Sequence, residues 1–120
     1  MAQPKFRIDW RSLHDDIKFL AKKLPPNSKL WGIPRNGLII AGLLAHCEDF
    51  KIIMLPEPPS GAIIIDDIHD TGQTIRPYTK RGFVVATLYW RQKKESCAPN
   101  IWAKTITNNF WLIFPWEKEF

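Results

Sequence analysis

Only two cysteines occur in the 120 residues, Cys47 in an apolar stretch and Cys97 in a polar loop. Neither has a Cys or His partner at metal-ligand spacing, so both are expected as free thiols in a reducing cytoplasm. No run approaches the ~20 apolar residues needed to span a bilayer. Met1-Ala2-Gln3-Pro4-Lys5 also lacks the apolar core of a signal peptide. The expectation is a soluble, unexported, cytoplasmic protein. Internal repeats, low-complexity tracts and linkers are missing, as is the Gly-x-x-x-x-Gly-Lys-Ser/Thr of a nucleotide P-loop. Acidic residues are in deficit, 12 against 17 Lys and Arg, giving a net charge of +5 and a pI near 9.4. An anionic partner is therefore favoured, either a phosphorylated metabolite or a nucleic acid. The length fits one domain over residues 1–120, with room for one core and only a small lid.

Patterning predicts alternating strands and helices. Ser12-Leu13-His14-Asp15 resembles a capping box, with Asp15 and Asp16 in a first turn, Lys22 and Lys23 in a last turn, and Pro25-Pro26 as a stop. The stripe Leu13, Ile17, Leu20, Ala21, Leu24 gives this first helix a buried face. Residues 29–33 read as a strand and 38–47 as a helix too apolar to be exposed on any side. Strands are expected over 51–55, 62–65 and 83–89, with a rigid connection over 56–61. Pro77 is tolerated only in a first helical turn, so a short helix should start near Ile75 with Thr74 as cap and close at Gly82. A polar, basic connection follows, then an aromatic and β-branched stretch from Ile101. These spacings predict an α/β fold, an open, mostly parallel, twisted sheet with flanking helices.

Ala62-Ile63-Ile64-Ile65-Asp66-Asp67-Ile68-His69-Asp70-Thr71-Gly72-Gln73-Thr74 carries the chemistry. A continuous apolar run suits a strand covered on both faces, and ligands bind beyond the carboxyl ends of such strands. Asp66, Asp67 and Asp70 can meet a sugar diol or a hydrated cation, while Thr71, Gly72, Gln73 and Thr74 offer N–H groups and hydroxyls to a phosphate. Carboxylates alone would repel that phosphate, which implies a polyol between them, a divalent metal, or both. Asp, Thr and Gly are also ordinary turn residues, but a plain turn needs only one or two of them. Pro34-Arg35-Asn36-Gly37 joins a strand to an apolar helix, where Arg35 and the backbone amides of Asn36 and Gly37 can meet an anion. His69 reads as an exposed spacer and His46 as a packing residue.

The 63–74 run resembles the phosphoribosyl-pyrophosphate signature of type I phosphoribosyltransferases: apolar residues, two acids, a spacer, Asp-Thr-Gly and a final Thr. Pro34-Arg35-Asn36-Gly37 is similar to that family's pyrophosphate loop, a small residue, Arg, then Gly-Gly, with Asn36 in place of the first glycine; Asn tolerates positive φ better than most residues. Trp111-Leu112-Ile113-Phe114-Pro115-Trp116-Glu117 is similar to the Trp-x-x-x-Pro-Trp-Asp/Glu ending of the xanthine-guanine and hypoxanthine branch.

The resemblance implies transfer of a phosphoribosyl group from phosphoribosyl pyrophosphate to guanine, xanthine or hypoxanthine, with Mg²⁺ as cofactor held at Asp67. It implies Asp70 as general acid/base, ribose hydroxyls on Asp66 and Asp67, the 5′-phosphate on residues 71–74, and pyrophosphate on Arg35. On the base side it implies Trp111 stacking on the purine and the Leu112 backbone reading its edge. Arg91 aligns with a lysine that meets the purine 6-oxo group, and an exposed Arg in a basic loop is the plain alternative. A homodimer or larger homo-oligomer and a small C-terminal hood are expected. Full-length relatives insert a long closing hairpin between the strands at 51 and 62, where this chain has only Met54-Leu55-Pro56-Glu57-Pro58-Pro59-Ser60-Gly61. A non-catalytic sensor of phosphoribosyl pyrophosphate or nucleotide is thus an alternative. RNA binding through Arg76, Lys80, Arg81, Arg91, Lys93 and Lys94 is a weaker one.

Overall fold

The computed structural model describes residues 3–93 and 98–118. Chain order is β1 (Lys5–Arg7), α1 (Trp10–Lys23), β2 (Lys29–Gly32), α2 (Asn36–Cys47), β3 (Lys51–Ile52), β4 (Ile63–His69), α3 (Arg76–Lys80), β5 (Val85–Arg91), β6 (Ile101–Ile106) and β7 (Trp111–Ile113). Five strands form one parallel sheet in the order β3-β2-β4-β5-β6. β1 and β7 form a separate parallel pair, with Lys5 opposite Trp111 and Arg7 opposite Ile113.

The apolar run of β4 is explained by what covers it. Ile63 and Ile65 face the larger core, built with Leu13, Ile17 and Leu20 of α1, Ile40 and Leu44 of α2, and Phe114. Ile64 faces the opposite side, against Trp31, Ile75, Val85 and Tyr78. Both faces are dry, so no polar alternation is required. Gly37 lets α2 approach this strand: a Cβ there would lie 2.4 Å from the Ile65 carbonyl oxygen.

Several boundaries differ from the sequence expectation. α1 starts at Trp10, earlier than the Ser12 box, because Asp9 is the cap and its carboxylate accepts from the Ser12 N–H at 2.7 Å. Asp15 and Asp16 therefore sit beyond the first turn, and Asp16 instead accepts from the Tyr89 hydroxyl at 2.7 Å. α2 begins at Asn36, and Ile39 on it is exposed, so its apolar composition does not bury every side. α3 is capped by Ile75 with no side-chain bond, not by Thr74. β3 stops at Ile52, because the chain leaves the ladder after the Ile53 N–H bonds the Leu30 carbonyl. β4 and β5 run further than expected, since Ile68 pairs with Tyr89 and His69 with Trp90. His46 is exposed rather than packed, while His69 is buried, not an exposed spacer. Cys47 is a free thiol, whereas Cys97 lies outside the described residues. Among the described residues, no helix is long and apolar enough to cross a membrane.

Candidate active site at the end of the fourth strand

Strand order reverses between β2 and β4: the chain goes outward from β2 to β3, then returns to the far side of β2 as β4. Loops leaving the two strands diverge at such a point and open a crevice. A cavity of about 450 Å³ lies there. It is lined by Pro34, Arg35 and Asn36 after β2, by Asp66, Asp67, Asp70, Thr71, Gly72 and Thr74 along and after β4, and by Trp111 and Glu117. Residues as far apart in sequence as Pro34 and Glu117 are thus brought to one wall. Gly37, Gln73, Arg91 and Leu112 lie outside that lining, and so does the whole 53–62 connection.

Because β4 continues to His69, Asp66 and Asp67 belong to the strand itself, and they alternate in environment. Asp66 is buried and opposite Thr87. Its Oδ1 accepts the Asp67 N–H at 2.9 Å. Burial, then the neighbouring Asp67 charge and a side-chain bond to Asp67, push its carboxyl up to about 8. At neutral pH Asp66 therefore holds a proton and can donate as well as accept. Asp67 is half-buried and faces the cavity; Oδ1 accepts the Ile68 N–H at 2.7 Å and Oδ2 accepts from Asn36 Nδ2 at 3.0 Å.

The 70–75 loop turns on Gly72 at φ +84, where the Gly72 carbonyl accepts the Arg76 N–H and Thr71 Oγ1 accepts the Gln73 N–H. The buried His69 ring lies beneath it, 2.9 Å from where a Gly72 Cβ would stand. Any side chain at 72 would thus be both strained and blocked. On the other flank the Pro34–Arg35 peptide is cis, and Arg35 is exposed at the start of α2. Asn36 does not use the positive φ available to asparagine. Among the described non-glycine residues only Asn27 does.

Asp70 is held on both oxygens, by Arg91 Nη1 at 3.3 Å on Oδ2 and Lys93 Nζ at 2.6 Å on Oδ1. Arg91 is buried, not a solvated loop residue, and its Nη2 donates to the Phe110 carbonyl. It links the Asp70 loop to the segment carrying Trp111. The Trp111 ring is exposed at the cavity mouth. Trp111 N–H bonds Pro4 and the Ile113 carbonyl accepts from Ile8, so alternation along β7 turns the Leu112 N–H and C=O away from β1. His69, Glu117 and the Asn36 side chain line the cavity in places the sequence reading did not give them, His69 having been read as an exposed spacer and Asn36 through its backbone amide. Glu117 was visible in the Pro-Trp-Glu ending, whereas nothing in the sequence marks His69 as the floor of the loop.

Comparison with known proteins agrees with this fold. No protein-family model matches the chain. The xanthine-guanine phosphoribosyltransferase of Cereibacter sphaeroides is 25% identical over 93% of this chain and 86% of its own length. That of Nitratidesulfovibrio vulgaris is 26% identical over 95% and 85%. The chain resembles purine phosphoribosyltransferases along nearly its whole length. In fold, the purine phosphoribosyltransferase of Pyrococcus horikoshii superposes with a TM-score of 0.74 at 24% identity, covering 96% of this chain and 95% of that one. A hypothetical protein from Neisseria gonorrhoeae with bound ppGpp gives 0.75 at 17% identity, covering 98% and 92%. The Asn36 side chain lines the cavity, while the 53–62 connection stays away from it. That connection is held elsewhere: the Leu55 carbonyl accepts from Trp31 Nε1 at 2.9 Å, and Glu57 meets Arg81 at 3.5 Å. Of the candidate RNA-binding set, Arg91 is buried, and Lys94 lies outside the described residues.

Proposed function

We propose that the chain transfers a phosphoribosyl group from phosphoribosyl pyrophosphate to a purine base, guanine, xanthine or hypoxanthine, releasing pyrophosphate. The observation that carries this reading is the single cavity into which Arg35, the Asp66–Asp67 pair, the 71–74 loop and Trp111 all open. The 5′-phosphate sits on the Thr71, Gly72, Gln73 and Thr74 loop, and the ribose hydroxyls meet Asp66 and Asp67. Trp111 stacks on the base, and the outward Leu112 backbone groups read its edge. The C1–oxygen bond to pyrophosphate breaks as a bond from C1 to the base nitrogen forms. The base's ring proton passes to Asp70, which exchanges the half-exposed Lys93 for it. Arg35 stabilises the departing pyrophosphate, and the carboxylates tolerate positive charge growing on the sugar.

The donor set suits Mg²⁺ shared with substrate. Among the described residues no group of three or more acids, His or Cys could hold a metal alone. Magnesium is commonly held by one or two carboxylates plus phosphates and water. Asp67 would hold it, and the bound ion would supply charge neutralisation for the pyrophosphate. We place the activity in the cytoplasm, as the free Cys47 thiol supports. We also assign it to a homodimer or larger homo-oligomer, a reading supported by exposed apolar side chains such as Met54 and Leu55.

Mixing the protein with phosphoribosyl pyrophosphate, Mg²⁺ and each base in turn tests the reading. Pyrophosphate release is expected with at least one base, and Asp70→Asn should slow it roughly a hundredfold or more. Turnover with none of the three, or full rate in the mutant, contradicts the transfer or the Asp70 role respectively. A second reading, a non-catalytic nucleotide sensor, is favoured by the connection that leaves the cavity uncovered and by the ppGpp-bound fold relative. Calorimetry showing no binding of phosphoribosyl pyrophosphate or nucleoside monophosphate would exclude it.

A further inference from the structure

We propose that Asn36 is a positioning residue, whose one side-chain amide fixes Asp67 and the Trp116–Glu117 turn against the Arg35 loop, closing the pyrophosphate side of the cavity with the C-terminal segment. The inference rests on the phosphoribosyl transfer reading for its kinetic consequence, but not for its geometry. In this chain Asn36 Nδ2 donates to Asp67 Oδ2 at 3.0 Å and lies 3.5 Å from Glu117 Oε2, while Oδ1 accepts from Trp116 Nε1 at 3.1 Å. The indole N–H can only donate, so it settles which end of the amide is oxygen and aims the NH₂ at the two carboxylates.

What the amide grips is itself rigid. The Trp116 ring stacks on the buried Phe114 ring at 5.0 Å and 14°. Glu117 Oε1 accepts the Phe114 N–H at 2.9 Å, and Arg7 Nη1 donates to the Glu117 carbonyl at 3.3 Å. The other anchor is equally firm, since Gly37 wedges the first turn of α2 onto the Ile65 carbonyl. One neutral donor thus stands between two carboxylates, Asp67 at 3.0 Å and Glu117 at 3.5 Å, that would otherwise repel each other. With residues 53–62 absent from the cavity wall, this fixed turn brings Glu117 to the wall beside Arg35.

Two variants separate the parts of the latch. Asn36→Gly removes all of it; Asn36→Asp keeps an acceptor for Trp116 but turns the donor into a third carboxylate. The Trp116 indole N–H resonance in ¹⁵N-labelled protein should shift in Asn36→Gly and persist in Asn36→Asp. In both variants the affinity for magnesium pyrophosphate, by calorimetry, and KM for phosphoribosyl pyrophosphate should worsen about tenfold. KM for the base should change less than about twofold, a split that general loosening would not produce. An unmoved indole resonance in Asn36→Gly overturns the latch. A moved resonance with unchanged pyrophosphate affinity overturns its positioning role. If the wild type binds magnesium pyrophosphate without turnover, only the transfer reading fails, because resonance and binding still report on Asn36.

Discussion

Asp66 carries a cost in this fold whenever it is charged, because it is buried beside a second carboxylate. Its folded-state proton affinity is raised, so between about 4 and about 8 the native state holds a proton that the unfolded chain has released. Stability from this group is present below pH 4 and is lost as pH rises toward 8, by on the order of a few kcal/mol. Urea midpoints in metal-free buffer should fall from pH 5 to pH 8 in the wild type and stay level across that range for Asp66→Asn. Parallel profiles for the two proteins would contradict the burial of an ionisable Asp66. The sequence announced both acids, since two carboxylates at the end of an isoleucine run are rarely a plain turn. It did not distinguish them: both line the cavity, but strand alternation buries Asp66 and leaves Asp67 half-exposed, and that depended on β4 continuing through them. Arg91 shows the same limit: its charge was visible, but its partners, Asp70 and the Phe110 carbonyl, come from other loops.

The elements that hold the site are β4 and the start of α2, and glycine sets their separation. Gly37→Ala would drive a methyl into the Ile65 carbonyl at 2.4 Å, where backbone on both sides has nowhere to go. The expected cost is about 2 kcal/mol, or a melting temperature lower by roughly 10 °C, with lost affinity at the Arg35 loop. A change within about 1 °C would show that α2 does not pack this way. Helices were the more legible elements, since the stripe of α1 and the Pro77 signal depend on neighbours within one or two turns. Their ends were less so: Asp9 outcompetes the Ser12 box because its carboxylate reaches the Ser12 N–H. Strand lengths failed in both directions for a non-local reason. β4 is prolonged by its ladder to β5, and β3 is cut short where its chain leaves β2 after Ile52, although β2 itself runs on to Gly32 beside β4.

At the scale of the molecule, the class of fold followed from alternating apolar strands and helices, but the pairing of β1 with β7 did not. Lys5–Arg7 has no apolar pattern to mark it, and its partner lies more than a hundred residues away. Yet that pair carries Trp111 to the cavity and orients Leu112. The sheet reversal at β2 and β4, the loop on His69, and the β1–β7 pair jointly produce one cavity with Arg35 on one side, the Asp66–Asp67 pair and the 71–74 loop on a second, and Trp111 on a third. The central claim is that these three sides act together in one transfer. Phosphorus NMR of phosphoribosyl pyrophosphate, Mg²⁺ and guanine, xanthine or hypoxanthine with the protein tests it most directly. The account predicts that the diphosphate-ester signals give way to free pyrophosphate while the 5′-phosphate appears as nucleoside monophosphate. Unchanged spectra with all three bases, or pyrophosphate accompanied by ribose 5-phosphate without nucleotide, would contradict it.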